Sequence, residues 1–343
     1  MRRRDLLLSP FALAAAGLAL APSGRPAQAR VAGDELRFFR ILTGSAATTA
    51  FPIGTLVASA ISNPAGSRPC DRGGSCGVPG LIAVALTSPG SVANIAAVAN
   101  ESIESGFAQA DLVYSAYSGE GLYFRRAKQP NLRVIANLYP ETVHLIARRD
   151  SGIQDIRDLV GKRVSIDRAG SGTRFNAEII LNAYGVRLSQ IKAAELDPGD
   201  AADRLAAGEI DAFFLIAAYP AAVVADLTQK GIATVIPLAA RAIEAALKRH
   251  RFFSREVIAA NSYAGVPETE TLSIGMQWVV SETANAELIY DIVAALWQPA
   301  SRKLLDGGHI KAQQIRRETA LTGLSTPLHF GAERYYREVG LLS

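Results

Sequence analysis

An α/β fold built on a parallel sheet is what this 343-residue sequence predicts, on three observations. Apolar runs of strand length alternate with segments of helical spacing along most of the chain. The composition, 49% hydrophobic and 20% charged, is that of a globular protein with room for two domains. Three of the strand-like runs also stop in short loops of small polar residues, the place where open α/β sheets hold ligands.

LRFFRILTG (36–44) reads as a first buried strand, ending in Thr43, Gly44 and Ser45, with a helix over 51–62 behind it. SRPCDRGGSCGVPG follows, too rich in Gly and Pro to be anything but a loop. LIAVALT is the next strand and stops at Ser88-Pro89-Gly90-Ser91. A helix over 92–101, a short strand around GFAQADLV and a helix from about residue 113 continue the alternation. LRVIANLYPETVHLIARR carries Tyr-Pro at its middle and predicts two strands joined at a crossing point. IRDLVGKRVSID leads into Gly170-Ser171-Gly172-Thr173 and a helix with apolar Phe175, Ile179, Ile180 and Tyr184. A helix near 201–207, the strand IDAFFLIA, a last strand TLSIGMQWVV and a helix carrying Leu288, Ile292, Val293 and Leu296 complete the pattern, leaving the C-terminal third largely helical.

The first 29 residues differ in kind. Arg2, Arg3 and Arg4 precede an apolar stretch over 6–21 and a small-residue end at Ala27-Gln28-Ala29, the layout of a signal peptide. The alternative is an uncleaved anchor, for which a stretch interrupted by Pro10 is short. The Arg pair before Asp5-Leu6-Leu7 leans towards twin-arginine export, although a basic Sec signal has the same features. This segment holds four of the 36 basic and one of the 32 acidic residues, so its removal takes the formal net charge from +4 to +1. No nucleic-acid footprint survives that subtraction. In an exported compartment Cys70 and Cys76 read as a disulfide closing their loop, the alternative being two free thiols. His144, His250, His309 and His329 lack the spacing of metal ligands, and no cofactor is expected.

Gly170 to Thr173 pose the sharpest local question. Two glycines let a ligand approach the backbone, the first helical turn offers unpartnered amides, and the macrodipole favours negative charge there. That describes an anion cradle, and equally a plain capped turn. The loop is not a Walker A sequence, and neither GxSxG, HExxH nor GxGxxG occurs. Ser171 as a nucleophile would need a His that no spacing supplies. The lack of catalytic chemistry favours a binding protein over an enzyme.

LYPETVHLIARRDSGIQDIRDLVGKRVSIDRAGSGT, GEIDAFFLIAAYP and PLHFGAERYYREVG, in that order, resemble the TAXI-type (TRAP-associated extracytoplasmic immunogenic) solute-binding proteins of TRAP transporters. The resemblance runs from residues 43–45 to the C-terminus. It implies a two-lobed periplasmic binding protein of the type II class, with one lobe from 35–138 plus 281–343, the other from 139–280, and a cleft between them. Such a protein, monomeric, closes over a small organic anion (glutamate, glutamine, a dicarboxylate or a 2-oxo acid) and delivers it to the TRAP membrane permease. The implied ligand loops are Thr43, Gly44 and Ser45; Gly90 and Ser91; and Gly170, Ser171, Gly172 and Thr173, with Tyr139 and Glu141 at the crossing. TGSAATTAFPIG departs from the family's pattern, in which Gly-Gly and paired aromatics follow the first loop, and this bears on ligand identity. Arg174 either adds charge at the anion loop or points to solvent. Tyr114, Tyr139 and Tyr219 are candidate walls of the cleft, and Glu141 is the acid that would meet a ligand's ammonium. A periplasmic sensor docking on a membrane receptor, or an ABC-type binding protein, are the competing readings.

Overall fold

The computed structural model describes residues 36–238, 244, 247–248 and 250–343; the expected signal peptide lies outside them. The chain begins β1 (Arg37–Leu42), α1 (Ala50–Ile61), β2 (Ser62–Asn63), β3 (Val78–Pro79), β4 (Leu81–Leu86), α2 (Ser91–Ala99), β5 (Ser105–Gln109) and α3 (Ala110–Ser118). The long strand β6 (Leu132–Arg148) then leads to β7 (Arg163–Ser165), α4 (Gly172–Ala183), β8 (Lys192–Ala194), α5 (Pro198–Ala206), β9 (Ala212–Ala217), α6 (Ala222–Gln229) and β10 (Ala233–Ile236). After these come β11 (Phe253–Ile258), β12 (Thr269–Ser281), α7 (Ala286–Leu296), α8 (Pro299–Gly308) and α9 (Phe330–Glu338).

The main sheet runs β4-β1-β5-β12-β6-β9-β7-β8, with β10 beside β6 and β11 beside β12. Pairing is parallel within β4-β1-β5 and within β9-β7-β8, as the alternation predicts. The two long central strands correct the all-parallel expectation: β12 is antiparallel to both β5 and β6, and β6 is antiparallel to β9. The pattern of apolar runs cannot distinguish these cases, because strands buried on both faces read alike in either direction.

A second correction concerns Tyr139-Pro140. The sequence predicts two strands there, and the chain instead makes one strand of 17 residues. Pro140 lies opposite Gly275 of β12, and the ladder to β9 begins only at Thr142. One edge of β6 is therefore open at the residue that has no N–H to give.

The halves of the sheet have separate cores. In the first, Ile53 and Val57 of α1 pack on Phe39 and Ile41, and Trp278 stands edge-on to Phe39 and Phe107 at ring distances of 6.1 and 6.2 Å. In the second, α4 buries Ala177, Ile180 and Leu181 against Val143, Val164 and Phe214. Removing a side chain such as Ile53 or Leu181 from such packing costs on the order of 2–5 kcal/mol. Cys70 and Cys76 are bonded, with Cα atoms 4.8 Å apart, and close an exposed loop carried on the short β2–β3 pair.

Candidate ligand-binding site

The loops after β1, β4 and β7 meet the middle of β6 and β12 around one small cavity. Each loop is shaped by its own residues. Thr43 Oγ1 donates to the Leu86 carbonyl (2.9 Å), tying the first loop to β4. Gly90 has φ 125°, and a Cβ there would stand 3.1 Å from the Ser171 Cα, so the second and third loops touch through their backbones. In the third loop Gly170 has φ 89°, and Ser171 caps α4 by accepting from the Arg174 amide (3.0 Å).

Hydrogen bonds cross the cavity from one half of the sheet to the other. Ser45 Oγ donates to Asp197 Oδ1 (2.9 Å), and the Ala218 amide donates to Thr49 Oγ1 (2.8 Å). Arg168 Nη2 donates to the Ser88 carbonyl (2.7 Å), and the Val92 and Ala93 amides both donate to the Gly170 carbonyl (3.0 and 3.1 Å). The space these contacts leave measures about 40 Å³, little more than one water needs.

Two acids line that space, Glu141 and Asp167, and no Lys or Arg does so among the described residues. Gln109 Nε2 donates to Glu141 Oε2 (3.1 Å), and Gln109 Oε1 accepts from Asn176 Nδ2 (3.1 Å), so a chain of amides fixes the carboxyl group. Gly172 makes room for it, since a Cβ there would collide with the Gln109 amide. Burial pushes Glu141 up to about 8, outweighing the Gln109 hydrogen bond, which pulls the other way. Asp167 is raised to about 6, again by burial, partly offset by the Arg168 amide and the Ser171 side chain. Behind them burial raises Asp111 to about 6 as well.

At neutral pH Glu141 is therefore largely protonated and able to donate. Opposite it, the first turn of α4 brings amides that have no partner within the helix. The arrangement offers donors to a carboxylate and two buried acids to a cation. Thr173 Oγ1 is already engaged, accepting from the Ile216 amide (3.2 Å).

Of the residues singled out in the sequence, Thr43, Gly44, Ser45, Gly90, Ser91, Glu141, Ser171, Gly172 and Thr173 border this cavity together. Gly170 borders a neighbouring groove instead, with its carbonyl spent on α2. Four others are elsewhere. Arg174 turns into a neighbouring surface groove, where Nε bonds Glu195 Oε1 at 2.8 Å. Tyr139 is buried in the core of the first half, and Tyr114 packs on Phe252 at 5.3 Å. The Tyr219 hydroxyl donates to the Val257 carbonyl (3.2 Å), and the ring carries Lys311 Nζ at 3.8 Å. Sequence reasoning missed Gln109, Asp167 and Asn176. Gln109 is the last residue of β5, and Asp167 lies two residues beyond β7, just ahead of the Gly170 loop, which was the available signal, whereas Asn176 sits inside a helix and gave none.

The model of the NMT1-like family matches residues 41–340. Among solved structures, a protein of Bordetella bronchiseptica RB50 is similar at a TM-score of 0.52 and 15% identity, over 89% of this chain and 83% of that one. A protein described as a periplasmic transporter gives 0.50 at 14% identity, over 88% and 94%. The alkanesulfonate-binding protein SsuA from Xanthomonas axonopodis pv. citri, bound to MOPS, gives 0.48 at 17% identity, over 88% and 84%. The likeness to the first two is one of fold, a mixed α/β fold.

Proposed function

Since the chain belongs to the NMT1-like family, we propose that it is a periplasmic solute-binding protein, not an enzyme, which captures a small amino-acid-like carboxylate between two lobes. The observation that carries this reading is the central cavity, where loops from both halves of the sheet bring a helix N-terminus face to face with buried Glu141 and Asp167. The amides of Gly172 and Thr173 would take the ligand's carboxylate, and Glu141 its ammonium, ionising as the cation arrives. A dianion would meet two acids and no compensating guanidinium, which disfavours dicarboxylates. A cavity of about 40 Å³ cannot hold such a ligand, so the lobes must part at the bonds of Ser45, Thr49, Ser88 and Gly170 to admit it and close again around it. The lobes in this reading are residues 35–138 with 281–343, and 139–280. The resemblance to TAXI-type proteins supports a TRAP permease as the recipient.

The test is titration calorimetry and thermal shift on protein freed of co-purified solute, with glutamate, glutamine, succinate and 2-oxoglutarate. A ligand at a hundred times its Kd should add about 2.7 kcal/mol of stability. The amino acids should bind, and Gly172→Ala should weaken them at least tenfold while the protein stays folded. Equal binding of succinate and 2-oxoglutarate would remove the ammonium role from Glu141, and no binding of any acid would overturn the solute-capture reading.

A further inference from the structure

A second and much larger hollow lies on other residues of the same central strands. It measures about 680 Å³ and is bordered by Asn137, Leu138, Tyr139 and Pro140 of β6, by Gly275 of β12, by Arg251, Phe252 and Ser254, and by the loops over 313–325. Its charge is the reverse of the central cavity's. Two arginines, Arg251 and Arg316, stand on its wall, and no Asp or Glu does so among the described residues.

The two guanidinium groups are held differently. Arg316 is shared with Asp306 at 3.3 Å. Arg251 has no carboxylate partner among the described residues; its guanidinium lies over the rings of Tyr114 and Phe252, at 4.5 and 5.1 Å from their centroids. Stacking of this kind fixes the plane of the group and leaves its N–H edge free to bind an anion in two-pronged fashion. Leu138, Pro140 and Phe252 supply an apolar wall beside it, while Gln313 and Thr322 add polar groups at the opening. A few placed polar groups against apolar walls, in a volume of this size, is the usual make-up of a small-molecule site.

We propose that this hollow is a second binding site, for an organic anion with an aromatic or similarly broad apolar body, whose carboxylate is taken by Arg251 and Arg316. It is separate from the central cavity and does not depend on the function proposed for that cavity. It also gives Tyr114 a role, as the platform under Arg251.

The probe is 2-naphthoate, with uncharged 2-naphthamide as control, followed by titration calorimetry on the mature chain. The wild type should bind one 2-naphthoate, at least tenfold more tightly than 2-naphthamide. Arg251→Ala and Arg316→Ala should each weaken it about tenfold or more, and both residues are exposed, so the variants should melt like the wild type. Gly172→Ala, whose added Cβ would collide with the Gln109 amide of the central cavity, should leave 2-naphthoate binding unchanged. Loss of 2-naphthoate in Gly172→Ala with indifference to Arg251 and Arg316 would place the anion in the central cavity and overturn the proposal. Absence of 2-naphthoate binding at millimolar concentration, or binding equal to that of 2-naphthamide, would overturn it too.

Discussion

Replacing Glu141 by Gln keeps the shape of a buried carboxyl and its acceptance of the Gln109 amide, and removes only the proton equilibrium. In the folded chain burial raises this group from 4.5 to about 8. The sign follows from linkage: between those two values the folded state holds a proton that the unfolded state has released, so stability falls as pH rises through the window. Below about 4.5 both states are protonated and the residue is neutral in its effect. Above about 8 the full penalty is present, and a shift of roughly 3.5 units corresponds to as much as about 5 kcal/mol. Glu141→Gln should therefore melt like the wild type at pH 5 and above it at pH 8.5, by roughly 5–10 °C for a chain of this length. Thermal melts of both proteins every half pH unit provide the assay. Asp111, Asp167 and His144 titrate in both proteins, so the difference between the curves isolates the one residue. Parallel curves from pH 5 to 9 would refute the argument and mean that Glu141 is solvated or paired with a cation.

Two further outcomes follow from single contacts. Asp197 accepts from Ser45 Oγ (2.9 Å) and the Gly199 amide (3.1 Å) and pairs with Arg168 Nη2 (3.2 Å), so Asp197→Ala should cost about 1–2 kcal/mol, read as a lower Tm, and raise the radius of gyration in small-angle scattering. Reduction of the Cys70–Cys76 bond, or the double change to Ser, should cost about 2 kcal/mol in denaturant unfolding through the small loop it closes, with solute affinity unchanged because the loop is remote from both cavities.

Much of this architecture is legible in local sequence and some of it is not. The positions at which β1, β4 and β7 stop show in Thr43-Gly44-Ser45, Gly90-Ser91 and Gly170 to Thr173, because tight loops need small residues wherever they occur. The direction of β6 and β12 does not show, since period-2 burial has no polarity. Nor does Gln109, whose importance rests on Glu141 and Asn176, 32 and 67 residues away. Tyrosines mislead for the same reason. Tyr114, Tyr139 and Tyr219 have the composition of a cleft wall, yet an amphipathic ring satisfies a core, a cation or a hydroxyl partner equally well, and here each went to one of those.

If the lobes move as proposed, the continuous central strands would make the halves of the sheet the arms of a pair of tongs. β6 and β12 are bonded to each other over residues 132–142 and 273–281, with register irregularities between Met276 and Gln277 and between Trp278 and Val279, and would serve as the spring at the pivot. The grip is at the tips, in the handful of bonds made by Ser45, Thr49, Ser88 and Gly170. Each such bond is worth about 1 kcal/mol net, so the jaws are held by only a few kcal/mol. A solute bound at micromolar strength supplies about 8 kcal/mol. Under the proposed function, a grip of that modest size would let the cargo itself decide whether the tongs stay shut.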